Sequence, residues 1–193
     1  LLNEIDFPLA TTSANPSGAP PARTRDELLR YFPGILFLEG EAGGGEASTV
    51  LDAVDWVLLR RGPVSLRRIE VLSGKIVRVE KLRVLVVCTG GVDRSPRAAE
   101  WLWRHLGVEA AHAGTLWPPE DVLELARWAD IVLPMEEAHR EYLLEIGVEP
   151  EKLFPPLGVP DPYGLDDDTR ARIFSFMEMK LWEVSDELRK RQA

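Results

Sequence analysis

The sequence predicts an α/β protein: a C-terminal parallel open sheet flanked by helices, preceded by a shorter, partial α/β segment. Three observations lead there. From residue 82 onward, short apolar runs alternate with segments of helical period, and that alternation puts parallel strands between layers of helices. The run "LRVLVVC", Leu82 to Cys88, is almost unbroken in its apolar character, as a strand covered on both faces is. The first 74 residues instead crowd short strand-like runs between turn residues, which marks a different body.

Taken in order, "SGAPPART" is a turn cluster, and Arg25 to Phe32 carries Leu28, Leu29 and Phe32 at helical spacing behind Asp26 and Glu27. Strand-like runs follow in "GILFLEG", "STVLDAV" and "WVLLRRG", parted by the glycines at 43–45 and a polar turn. Ser65 is placed to cap a helix over "LRRIEVL", which Gly74 ends. "KIVRVEK", Lys75 to Lys81, alternates charged and apolar residues as an edge strand or linker does. The expected organisation is therefore residues 1–74, a connector at 75–81, and residues 82–193.

After the strand ending at Cys88, "SPRAAEWLWRHLG" reads as a helix with one of Trp101 and Trp103 inside and the other partly exposed. Then come a strand in "EAAHAGT", a helix in "PPEDVLELARWA" with Pro119 near its first turn, a strand in "DIVLPM" and a helix in "EEAHREYLLEIG". "KLFPPLG" is a last short strand, and Asp168 to Arg191 is a closing helix with Ile173, Met177, Leu181, Val184 and Leu188 on one stripe. Sheets of this kind bind ligands at the carboxyl ends of their strands, where Cys88 stands.

A net charge of −9 and a pI near 4.9 argue against a general nucleic-acid or membrane-surface role, so any anion site is local. The one cysteine excludes an intrachain disulfide, and with no apolar run of about eighteen residues the expected location is cytoplasmic. The chain enters at Leu1 in mid-pattern, as a piece of something longer does. His105, His112 and His139 share no metal-ligand spacing, and neither a metal nor a cofactor is expected.

The stretch "CTGGVDRS" carries the chemistry. Its glycines let the backbone curl so that successive N–H groups of Thr89, Gly90, Gly91, Val92, Asp93 and Arg94 point inward, which makes an anion cradle. The helix starting near Ser95 aims its positive end there, and Arg94 can fork two N–H bonds onto phosphate oxygens. A field of this sign favours thiolate over thiol, the nucleophilic form.

Cys88, five residues, then Arg94, Ser95 and Pro96 after an apolar strand resemble the signature of the low-molecular-weight protein tyrosine phosphatases. "AHAGT", "ADIVLPMEEAH" and "VPDPYG" resemble, in order, that family's second strand, its third strand with the segment after it, and its general-acid loop. The resemblance implies that Cys88 forms a phosphocysteine, Arg94 binds the phosphoryl oxygens and Ser95 hydrogen-bonds the thiolate. It further implies that Asp161 protonates the leaving oxygen and then activates water, and that Tyr163 lines the mouth, the partner being a phosphorylated protein or a small aryl phosphate. The chain departs from the family in three places. Gly91 replaces an Asn that braces the loop, Asp93 stands where many members have a second cysteine and would oppose thiolate formation if turned inward, and Thr115 to Asp161 lacks a helix and a cleft-walling loop.

In the first half, "PLATTSANPSG", "ASTVLDAV" and "LLRRGPVSLRRIE" resemble, in order, segments of the YrdC-type threonylcarbamoyl-AMP synthases, with Arg61 in place of a proline. That resemblance implies that Ser13, Asn15, Ser48 and Arg60 contact a nucleotide or its phosphates. It covers only the C-terminal part of that domain, so the segment alone is not expected to be a synthase. The favoured function is a phosphomonoesterase fused to a synthase remnant. The alternatives are a truncated synthase, active in its intact parent in tRNA threonylcarbamoyladenosine formation, and a phosphate-binding module without turnover.

Overall fold

The computed structural model describes residues 14–36 and 47–193, and the chain divides into two compact units, Leu1–Glu46 and Ala47–Ala193. In the first unit, helix α1 (Arg25–Tyr31) starts at Thr24, whose hydroxyl accepts from Glu27 N at 3.2 Å. Ser13 and most of "GILFLEG" lie outside the described residues.

The second unit opens with an antiparallel pair, β1 (Val50–Asp52) and β2 (Val57–Arg60), followed by α2 (Leu66–Ser73) with Ser65 as its cap. The expected "STVLDAV" and "WVLLRRG" strands are thus present but short. The segment 75–81, read from the sequence as an edge strand or an ordered linker, is an ordered connector. It makes single parallel bridges, Val57 with Arg78 and Val79 with Gln192, and Val77 and Val79 are fully buried. Leu58, Leu66, Val77 and Val79 share a core with Val84 and Val86, so residues 47–74 pack as one body with the chain beyond residue 82, and the compact units part at 46/47 rather than at 75–81. Period-two alternation looks the same in a solvated linker and in a segment with one buried face, which is why the sequence put the division later.

Polar ties reinforce this packing. Arg61, the residue in the proline's place, donates from Nε and Nη2 to the two carboxylate oxygens of Asp130 at 2.9 and 2.7 Å. Asp130 also accepts from Arg83 N at 2.9 Å, and Glu70 of α2 meets the buried Arg191 near the C-terminus.

The main sheet has the order β4-β3-β5, all parallel, with β3 (Arg83–Cys88) in the centre, β4 (Glu109–Gly114) and β5 (Ile131–Pro134) beside it. Residues 84–88 of β3 are all buried, and alternation splits them between two cores. Val84, Val86 and Cys88 pack with α3 (Arg94–Leu106) and α6 (Asp167–Arg189), while Leu85 and Val87 pack with α4 (Pro119–Trp128) and α5 (Glu137–Glu145). Ile173, Met177, Leu181 and Leu188 of α6 are buried, Val184 partly so, and Trp101 lies inside while Trp103 is exposed.

"KLFPPLG" continues past β5 without becoming a regular strand. Leu153 bridges Val132, and Phe154 N, Leu157 N and Val159 N donate to Val132 O, Pro134 O and Met135 O at 2.9 to 3.0 Å. Pro155 and Pro156 have no N–H to give, so the ladder is interrupted between those bonds. This run delivers residues 160–163 to the carboxyl end of the sheet, where β3 ends. Among the described residues no helix is long and apolar enough to cross a membrane.

Candidate active site

Cys88 closes β3, and the chain from Thr89 to Asp93 folds back over it to start α3. Cys88 is 2% exposed, and its sulfur accepts from Gly91 N at 3.3 Å. Ser95 Oγ lies 3.1 Å from Sγ and also donates to Ala113 O at 3.1 Å. A hydroxyl has one proton, so while it serves Ala113 O the Cys88 thiol donates to Ser95 Oγ; to serve a thiolate it must leave that carbonyl.

Gly91 is needed where it stands. Its φ is +69°, and a Cβ there would come within 2.8 Å of Gly114 N and of the Trp117 ring. A Cβ on Gly114 would in turn meet Gly90 C at 2.5 Å, so loop and β4 approach each other backbone to backbone. The bracing missing at residue 91 comes from the segment after β4. Trp117 Nε1 donates to Gly90 O at 3.1 Å, Leu116 N to Thr89 O at 3.1 Å and Thr115 N to Cys88 O at 2.9 Å. The expectation of an unbraced loop is corrected accordingly; a tryptophan two residues past "AHAGT" was the available signal.

Arg94 is 1% exposed, and both of its terminal nitrogens are engaged. Nη1 donates to Glu136 Oε2 at 2.5 Å and to Val159 O at 2.8 Å, and Nη2 to Thr89 Oγ1 at 3.0 Å and to Asp161 Oδ2 at 2.7 Å. The other oxygen of Asp161 accepts from Tyr163 N at 3.0 Å. A phosphoryl oxygen arriving at Nη2 would therefore compete with Asp161, whose half-exposed side chain is free to turn.

Asp93 does not oppose the sulfur, contrary to the concern its position raised. Its carboxylate faces Arg97 Nε at 3.3 Å and Arg170 Nη2 at 3.1 Å, two cations that offset its charge. Cys88, Thr89, Gly90, Val92, Asp93, Arg94, Asp161 and Tyr163 all line one pocket of about 580 Å³, joined by Leu116 and Arg170. Val92, Leu116 and Tyr163 stand at its mouth with most of their surface exposed.

Sequence reasoning passed over Glu136 and gave His139 no role at this site. Yet Glu136 ion-pairs with Arg94, and His139 Nε2 lies 3.0 Å from Thr89 Oγ1. Of the other histidines, His105 stacks on Trp101 at 4.5 Å and His112 meets Trp117 edge-on at 5.8 Å. Among the described residues no group of three or more His, Cys, Asp or Glu is arranged to hold a metal ion.

Asn15 belongs to the first unit, where its amide donates to Pro16 O and Ala19 O, while Ser48 and Arg60 belong to the second, with Arg60 Nε donating to Ser48 O at 2.9 Å.

Residues 1–62 match the model of the Sua5, YciO and YrdC family, described as "Telomere recombination". Over 58 residues the chain is 47% identical to a threonylcarbamoyl-AMP synthase of Stenotrophomonas maltophilia (strain K279a), a stretch covering 28% of this chain and 30% of that protein. The chain thus spans under a third of the curated relative it matches. Among solved structures it is similar to the tyrosine phosphatase Wzb from Escherichia coli K30 in complex with phosphate, at 25% identity over 55% of this chain and 97% of that one, with a TM-score of 0.47. It is similar to the YwlE arginine phosphatase from Geobacillus stearothermophilus at 24% identity over 55% and 92%, with a TM-score of 0.48. For the low molecular weight protein tyrosine phosphatase from T. tengcongensis the figures are 23%, 56%, 100% and 0.47. The chain is therefore similar at its N-terminus to the Sua5, YciO and YrdC family, and over its C-terminal part to solved tyrosine and arginine phosphatases.

Proposed function

We propose that residues 82–193 form a phosphomonoesterase acting through a phosphocysteine on phosphorylated proteins or small aryl phosphates, and that residues 1–62 are part of a domain of the threonylcarbamoyl-AMP synthase type. One observation carries the phosphatase reading: Asp161, 67 residues from Arg94 in sequence, lies 2.7 Å from its guanidinium in the pocket that Cys88 lines. In the first step the Cys88 thiolate bonds to phosphorus as the ester P–O bond breaks, and Asp161, displaced from Arg94 by the phosphoryl oxygen and protonated, gives its proton to the leaving oxygen. In the second, water attacks phosphorus, the S–P bond breaks back to thiolate, and the Asp161 carboxylate takes the water's proton. Arg94 and the loop N–H groups hold the equatorial oxygens throughout. Val92, Leu116 and Tyr163 give an aryl group apolar edges to pack against.

The test is a comparison of leaving groups. Asp161→Asn slows hydrolysis of phenyl phosphate by about a hundredfold or more, the scale of a lost general acid, and that of p-nitrophenyl phosphate much less, since p-nitrophenolate leaves without help. An equal loss on both substrates would remove Asp161 from the acid's role; no turnover of either by the wild-type chain would sink the phosphatase reading.

A further inference from the structure

His139 sits in the first turn of α5, 4% exposed, and makes two hydrogen bonds, one to Glu136 N and one to Thr89 Oγ1 of the loop. Glu136 N lies 3.1 Å from Nδ1, and a backbone N–H can only donate, so Nδ1 is an acceptor and carries no proton. In the neutral ring the proton is then on Nε2, which faces Thr89 Oγ1 at 3.0 Å. Thr89 Oγ1 thus accepts from His139, and it accepts from Arg94 Nη2 at 3.0 Å as well. A hydroxyl oxygen has two acceptor positions, and both are taken. The Thr89 proton is left to point elsewhere, and Thr89 lines the pocket.

We propose that His139 is a positioning residue: as the Nε2–H tautomer it saturates Thr89 Oγ1, which fixes Arg94 Nη2 on one side and turns the threonine hydroxyl toward the phosphoryl group as a further donor. This rests on the phosphatase reading of the pocket for its purpose, but not for its geometry. Three charged groups face the ring: Arg94 from α3, Glu136 from the start of α5 and Asp161 from the segment beyond residues 153–159. Burial first, and Arg94 second, hold the His139 pKa below its ordinary value of 6.5, while Glu136 and Asp161 pull the other way. A depressed folded value means that the neutral arrangement is complete above about pH 6.5 and is lost as pH falls through the folded value. Protonation would set a donor at Nδ1 against Glu136 N–H and break the relay.

The experiment uses the full chain. Nitrogen-15 NMR of the imidazoles, read from pH 8 downward, should show His139 as the Nε2–H tautomer, with its Nε2 proton signal shifted in Thr89→Val. Inorganic phosphate binding by NMR titration and aryl phosphate turnover are then compared among wild type, His139→Phe and His139→Gln. The phenylalanine variant loses roughly ten- to a hundredfold in kcat/KM and weakens phosphate binding, whereas Gln, which can donate from its amide to Thr89, recovers most of both. An Nδ1–H tautomer, or a Phe variant that binds phosphate and turns over as wild type does, overturns the proposal. If wild type shows no turnover, the phosphatase reading fails by itself, and the tautomer with its response to Thr89→Val still decides the role of His139. If the Phe variant does not fold, the same spectrum and the Gln variant decide.

Discussion

Cys88→Ser removes hydrolysis of aryl phosphates, by roughly 10⁴-fold or more, while inorganic phosphate still binds within a few-fold of wild type. The two readouts part because different atoms carry them. In the proposed mechanism the nucleophile is the sulfur, and a serine hydroxyl in its place is not ionised near neutral pH and attacks phosphorus poorly. In that reading the affinity comes from the loop N–H groups and the Arg94 guanidinium, which are held by Trp117, Glu136 and the Val159 carbonyl as well as by the bond from Gly91 N to residue 88. Serine can also accept from Gly91 N and meet Ser95, so the loop keeps its internal contacts. Parallel loss of turnover and binding would mean that residue 88 holds the loop together. Retained turnover would end the phosphocysteine mechanism. Steady-state kinetics and an NMR titration with phosphate give both numbers.

Glu70→Ala should destabilise the second unit by about 3 kcal/mol, which for a chain of this size lowers Tm by roughly 6–12 °C. Glu70 is buried and receives Val77 N at 3.0 Å and the Arg191 guanidinium at 3.1 Å, besides its ion pair with Arg67. Arg191 is 3% exposed, and without Glu70 its anionic partner among the described residues is Glu187. Leaving a cation buried with too few acceptors is more costly than replacing both members of the pair by apolar groups. Glu70→Leu with Arg191→Met should therefore lose less than Glu70→Ala alone, and thermal melts of the three variants decide it. A single variant within 1 kcal/mol of wild type, on the scale where exposed pairs fall, would show that α2 is not fastened there. The same contacts limit where the chain can be cut, because starting the unit at residue 82 would strip Arg191 and Asp130 of these partners together.

Much of this was readable in advance. An apolar run bounded by Cys88, two glycines and an Arg-Ser-Pro is local information, and it led to β3, the loop and α3; the stripe from Ile173 to Leu188 led to α6 in the same way. The pocket that gathers Cys88, Arg94 and Asp161 lies at the carboxyl end of a parallel sheet, which alternation indicated, while the order β4-β3-β5 was not legible from it. What was hidden depends on partners far along the chain. Asp93 turns away from the sulfur because Arg170, 77 residues on, stands where it can receive it. Glu136 and His139 look like an ordinary helix start until β5 sets them beside the loop. Residues 75–81 misled because two buried valines in a charged heptapeptide do not say what buries them.

The bond between Arg94 and Asp161 bears on how a catalytic cycle would end. An anion-binding arginine that lost every partner when its ligand departed would hold on to inorganic phosphate and be slowed by its own product. Here Asp161 stands at the same nitrogen, so in the proposed cycle, once it has passed on the proton taken from water, its carboxylate can replace the departing phosphate there, and the site would empty by substitution rather than by bare dissociation. The residue that would start the reaction by giving a proton would also finish it as the intramolecular competitor that clears the pocket.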